Sequence, residues 1–191
     1  MMIYALKIQL KGDYNIVFYM RIKQFFSAIN SKIYPEDIKF IKKHLNDNEQ
    51  KIFFDMDLPT QRHCLNVAYT CLDLLKKNNK ANAKILLKAA LLHDCGKKSG
   101  EINTCHKVAI VVIYAISPKI AKYFIKKGRY SKKGTLCRAF YIHSVHQKRG
   151  AGIAANANVH PDIIDLIKKH HDIKDTASIE LLLLQQADNA N

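Results

Sequence analysis

Three polar residues fall on helix faces that ought to be buried, and this limits what the chain can fold into more than any other feature. In the stretch opened by Pro59-Thr60 and running to about Lys77, the inward stripe is Val67, Cys71, Leu74 and Leu75. His63 stands four residues before Val67 and so lies on that face. From Ala81 to about His93 the stripe is Ile85, Leu86, Ala89 and Ala90, and His93 follows Leu86 by seven residues and Ala89 by four. Near the C-terminus, Leu181 and Leu184 precede Asp188 by seven and four. A carboxylate on an apolar face is costly unless a cation meets it there. One inward histidine is ordinarily a hydrogen-bonded core residue. Two of them with Asp94 and Asp188, on separate helices, form a set that a divalent metal satisfies at once. Mixed imidazole and carboxylate ligands suit Mn, Fe, Co, Ni or Zn; an all-oxygen Mg site needs no imidazole.

The rest of the chain reads as helical around these positions. With only 7 Gly and 4 Pro in 191 residues, and Lys, Leu, Ile and Ala abundant, the composition favours an all-α domain over a many-stranded sheet. Pro35-Glu36-Asp37 opens a helix, with proline in its first turn and acids at the positive end of its dipole. Further helices are expected over 106–116, 119–127, 136–155, 161–170 and 176–190. Ile22, Phe25, Phe26 and Ile29 make a lead-in stripe, whereas alternation at Leu6, Ile8 and Leu10 suits a strand, with Gly12-Asp13 as a turn and 14–19 as a second strand. The expected division is an N-terminal extension and lead-in helix over 1–34 and one domain over 35–191.

Several classes are excluded. The five cysteines are odd in number and form no CxxC pair, so a disulfide framework is not expected, and the chain reads as one from a reducing, cytoplasmic setting. The longest apolar run, Val108 to Ile116, is too short to span a bilayer, and no membrane partner is expected. The formal net charge of +15 is concentrated, because no acidic residue occurs between Glu101 and Asp162. Such a segment either gathers an anionic partner, a small phosphate or less favourably a nucleic acid, or is a solvated lysine-rich surface. There is no Walker A or Rossmann glycine pattern. Cys95 lacks an identifiable base and reads as a small core residue.

The blocks "RHCLNVA" around His63, "LLHDCGK" around His93-Asp94 and "LLQQADNAN" around Asp188 resemble, in order and spacing, the H…HD…D pattern of the HD-domain superfamily. The resemblance covers about residues 35–191. It implies an all-α bundle converging on metal, with His63, His93, Asp94 and Asp188 as ligands and Asp94 as the bridge if two ions bind. Two more blocks are similar to the extra ligands of binuclear members: His146 in "HQKRGAGIA", and His170-His171 in "LIKKHHD", with His170 on the stripe of Ile163, Leu166 and Ile167. One or two divalent metals are implied, two being favoured. The Gly-Tyr-Pro loop of the branch that cleaves cyclic dinucleotides is missing, since this chain reads "HHDIKDTASIE". Pro59 stands where some of those proteins carry a third-metal glutamate.

The chemistry implied is hydrolysis of a phosphoester or phosphoanhydride in a nucleotide, dinucleotide or related small phosphate, by a metal-activated hydroxide. Asp94 and Lys97 are the expected catalytic residues. Lys97, with Arg149 and His143, is expected to face the phosphate. The alternative is a catalytically inactive nucleotide-sensing or RNA-binding module that keeps the fold.

Overall fold

In the computed structural model, residues 31–78, 80–172 and 178–191 are described. The lead-in stripe and the alternating segment of the first 30 residues lie outside them. The described residues are helical throughout, with no strand beyond an isolated bridge between Met56 and Lys98. The helices are α1 (Pro35–His44), α2 (Asp47–Phe54), α3 (Leu58–Leu75), α4 (Ala83–Leu92), α5 (Thr104–Ile116), α6 (Pro118–Gly128), α7 (Leu136–Asn156), α8 (Pro161–Lys169) and α9 (Ile179–Ala190).

Local chemistry sets the boundaries. Asn46, Asp57, Asn82, Asn103, Ser117, Thr135 and Ser178 each stand before a helix and accept a hydrogen bond from the third N–H inside it. These caps satisfy donors that the helix leaves open. The Ser178 cap starts α9 three residues later than the apolar pattern alone suggests. Helix α2 is an element that the hydrophobic spacing does not announce. Its signal is the capping box between Asn46 and Glu49, in which each side chain accepts from the other's backbone N–H.

The helices pack as two unequal layers. α4 is the hub. It contacts α1, α2, α3, α8 and α9 and buries Leu86, Leu87 and the run Ala89–Leu92. These residues join Phe53, Leu65, Val67, Ile163, Ile167 and Leu184 in the main core. A second core holds Ile102, Ile110, Ala121, Ala139, Phe140 and Ile142, between α5, α6 and the first half of α7. The long helix α7 therefore belongs to both, its Ala151 and Ala154 lying in the main core. His146 falls at the junction.

A polar brace ties α1 to α3. Asp37 is buried, and its carboxylate accepts from the backbone N–H of Tyr34, the Tyr69 hydroxyl at 2.7 Å and the Arg62 guanidinium. Burial alone would push this carboxyl up. Arg62, the Tyr34 N–H and Tyr69 outweigh it and hold the group below the ordinary carboxylate range. Asp37→Ala leaves Arg62 and Tyr69 facing an emptied, buried position and is expected to cost about 3 kcal/mol. In the parent the depressed pKa means that the Asp37 contribution is full above the unfolded carboxylate pKa and fades as pH falls through the folded one. Urea denaturation of parent and variant should therefore converge in strong acid and separate near neutrality.

Candidate metal centre

Five stretches of chain deliver the polar residues to one place. His63 sits in the second turn of α3, and Asp188 in the last turns of α9, which packs against α3 and α4. His93 is the C-cap of α4, and Asp94 follows it in the turn that ends at Gly96. His146 lies midway along α7; His170 is the C-cap of α8, with His171 next.

Asp188 Oδ1 lies 2.9 Å from His63 Nε2 and 3.5 Å from His93 Nε2. Asp94 faces both halves of the cluster. Its Oδ1 is 3.3 Å from His146 Nε2 and 4.0 Å from His170 Nε2, and its Oδ2 is 3.9 Å from His93 Nε2. His146 Nε2 and His170 Nε2 approach to 3.3 Å, and His171 Nδ1 is 3.8 Å from Asp188 Oδ2. The ligand-type atoms form three overlapping groups, each small enough for a single cation: His63, His93 and Asp188; His93, Asp94 and His170; and His146, His170 and His171.

The three buried histidines are oriented alike. Nδ1 of His93, His146 and His170 donates to the backbone carbonyl three residues earlier, that of Ala90, His143 and Ile167, at 2.9, 2.6 and 2.7 Å. This fixes each ring with Nε2 toward the centre, the posture in which imidazole binds a metal. Three buried side-chain polar atoms have no hydrogen-bond partner among the described residues, and two of them, His93 Nε2 and Asp94 Oδ1, lie in the cluster. Orphaned buried groups of this kind are rare in folded proteins. Two unprotonated ring nitrogens pointed at each other, as at His146 and His170, repel unless a cation lies between them. The donor set thus fits a divalent metal.

The electrostatics agree with that posture. Burial, with Lys97 nearby, pushes His146 well below the ordinary histidine range, and burial beside His93 pushes His170 down to about 3. Both rings are neutral at neutral pH. For Asp94, burial works against ionisation, but Lys97 and the surrounding histidines outweigh it and hold the carboxyl well below its usual range. Asp188 behaves likewise, held down by His63 and His93 against the effect of burial. His93 runs the other way. Burial opposes its charge, yet Cys64, Asp94 and Asp188 around it raise its proton affinity. A cation entering there displaces a proton.

The remaining candidates are placed as follows. Lys97 Nζ is 2.7 Å from Asp94 Oδ2, at the rim of the cluster. His143 is half-buried, its ring stacked 5.7 Å from that of His146, and its carbonyl orients that ring. Arg149 is not gathered into the cluster; its guanidinium donates to Glu101 Oε2. Lys107, read in the sequence only as one of many basic residues, bridges from α5 to the start of α3. It lies 3.0 Å from Thr60 Oγ1 and 3.3 Å from Asp57 Oδ2, close enough to feel the charges of Lys97 and Asp94.

Two glycines hold the cluster together and went unremarked as a pair. A Cβ on Gly96 would meet the His146 carbonyl oxygen at 2.0 Å, and one on Gly150 would meet the Gly96 nitrogen at 3.2 Å. The turn after Asp94 therefore lies directly on the α7 backbone, one helical turn long from His146 to Gly150. The glycines of the "HDCGK" and "HQKRG" blocks are the two sides of one contact.

The family model of the HD domain matches residues 60–190. No curated protein and no solved structure matches the chain. The HD domain implies divalent metal binding, and the His and Asp groups described above are compatible with it. With well over half of its length matched, and with an all-helical fold, the chain belongs to the HD-domain family.

Proposed function

We propose that this protein is a metal-dependent phosphohydrolase acting on a nucleotide, dinucleotide or related small phosphate ester. In this reading His63, His93, Asp94 and Asp188 hold one divalent cation and Asp94, His146 and His170 a second, with His171 at the open edge of the latter. Mn, Fe, Co, Ni and Zn all suit the donor set. The observation that carries the proposal is the Asp94 carboxylate: it is buried, ionised, directed to both halves of the cluster, and has one oxygen without a hydrogen-bond partner.

A divalent cation in such a site supplies Lewis acidity toward a phosphoryl oxygen and makes hydroxide available from water near neutral pH. The chain's own residues do the rest. The backbone carbonyls of Ala90, His143 and Ile167 hold the His93, His146 and His170 rings with Nε2 toward the centre before the site fills. Lys97 is the nearest cationic side chain to Asp94 and is partly exposed, which suits it to hold an anionic substrate oxygen. The acid-free stretch from 102 to 161 adds a positive field that draws anions in.

The test is a screen of nucleotides, dinucleotides and a generic phosphodiester with each of the five metals, before and after chelation. Chelated protein should be inactive, and readdition of a single metal should restore turnover. Undiminished turnover in excess chelator would contradict the reading. The reloaded protein should also melt higher, by the equivalent of about 3 kcal/mol at a metal concentration a hundred times its Kd.

A further inference from the structure

The corner between α5 and α6 is built unlike the rest of the surface. Ile116 ends α5 and is 74% exposed; Ile120, in the first turn of α6, is 47% exposed; Tyr123, one turn on, is 60% exposed; and Tyr130, just past the helix, is 84% exposed. On α6 the spacing 120, 123, 127 is that of one helical face. The same segment carries Lys119, Lys122, Lys126, Lys127, Arg129, Lys132 and Lys133, seven basic residues with no acid between Ser117 and Thr135. Lys127 Nζ lies 6.0 Å from the centre of the Tyr123 ring, and the Arg129 guanidinium 5.7 Å from that of Tyr130. Neither cation has an ion-pair partner among the described residues, and the segment itself supplies no carboxylate. Among the described residues the two helices pack mainly on each other and on α7, around the second core and away from the main one.

We infer that this corner docks on an anionic membrane surface, with Ile116, Ile120 and Tyr123 entering the headgroup boundary and the lysines meeting acidic lipid. The absence of a spanning helix among the described residues is no obstacle, because this mode lies on the bilayer and does not cross it. The expectation of no membrane partner rested on span length, which does not bear on this mode. Charge complementarity selects the occupant. A second copy of the chain would bring the same uncompensated cations against themselves. A nucleic acid would satisfy the cations and stack on the tyrosines, but it offers nothing to two exposed isoleucines, whereas acyl chains do. Tyrosine with a flanking cation suits the interfacial layer, where one end of the ring is apolar and the other wet.

The test is cosedimentation of the full chain with vesicles of phosphatidylcholine alone and of phosphatidylcholine with phosphatidylglycerol. The parent should bind the acidic vesicles and not the neutral ones, more weakly as salt is raised. Ile116→Ser/Ile120→Ser, at exposed positions that leave the core and the metal cluster intact, should bind acidic vesicles at least about tenfold more weakly with unchanged metal content and helicity. Failure of the parent to bind acidic vesicles would overturn the inference. So would equal binding by the isoleucine variant, which would reduce the corner to a general polyanion surface. Binding of single-stranded RNA that competes fully with the vesicles and ignores the isoleucine changes would assign the corner to nucleic acid instead.

Discussion

Replacing Asp94 with alanine is expected to remove both metals and to lower turnover at least a thousandfold. The reason is its position. The Asp94 carboxylate faces both the His63, His93 and Asp188 group and the His146, His170 and His171 group, with one oxygen near His146 and the other near His93 and Lys97. Without it, the second group holds only neutral imidazoles, and a divalent ion loses the anionic ligand that offsets its desolvation. Any remaining ion would also have lost the charge balance that tunes its chemistry. Asp94→Asn separates shape from charge: it fills the same volume, leaves one oxygen acceptor and removes the negative charge that Lys97 pairs with. Both variants should fold, as judged by helicity and a cooperative melt. Neither should gain thermal stability on addition of metal. Metal content by elemental analysis and turnover on the best substrate of the screen would measure the effect. An Asp94→Asn protein that retained two metals and full activity would contradict the role given to this residue.

The second large effect is expected at a residue that binds nothing. Gly96→Ala places a methyl group 2.0 Å from the carbonyl oxygen of His146 and 2.7 Å from its carbon, both backbone atoms that cannot rotate aside. Relief needs a movement on the order of 1 Å between the Asp94 turn and α7. His146 Nε2 and Asp94 Oδ1 are only 3.3 Å apart, and metal coordination tolerates a few tenths of an ångström. The variant should lose about a hundredfold in metal affinity, and the overpacking should cost about 1–3 kcal/mol of stability. Gly150→Ala provides the contrast. Its added carbon meets Cys95 Sγ, Ile167 Cγ2 and the Gly96 backbone nitrogen, all at 3.2 Å, a crowding that a shift of a few tenths of an ångström relieves. It should bind metal nearly as well as the parent and melt only slightly lower. Parallel metal titrations and thermal melts of the two variants would show whether the effect follows the severity of the overlap or merely the loss of glycine.

These two predictions mark what can be read from the chain and what cannot. The helix faces placed His63, His93 and Asp188 inward because period and burial are both local properties, and the structure gathers them. The sequence blocks also pointed to His146 and His170, which the fold brings to within 3.3 Å of each other. The Gly96–Gly150 contact was not legible, because each glycine has an ordinary local explanation, one as a helix stop and the other as a small residue. Only the packing of α7 across the turn makes them a pair. Asp37 was visible only as a helix-start acid; its burial depends on Arg62 and Tyr69 arriving from α3. The pairing of Arg149 with Glu101, the last acid before the basic stretch, was likewise not legible from spacing. Long cationic side chains choose partners across the fold, and spacing along the chain does not record that choice.

The most direct test of the metal centre is anomalous diffraction from crystals of the protein loaded with manganese or zinc. Two peaks are expected on either side of the Asp94 carboxylate, one among His63, His93 and Asp188 and the other beside His146 and His170. Crystals that take up metal with no peak within coordination distance of Asp94 would contradict that arrangement.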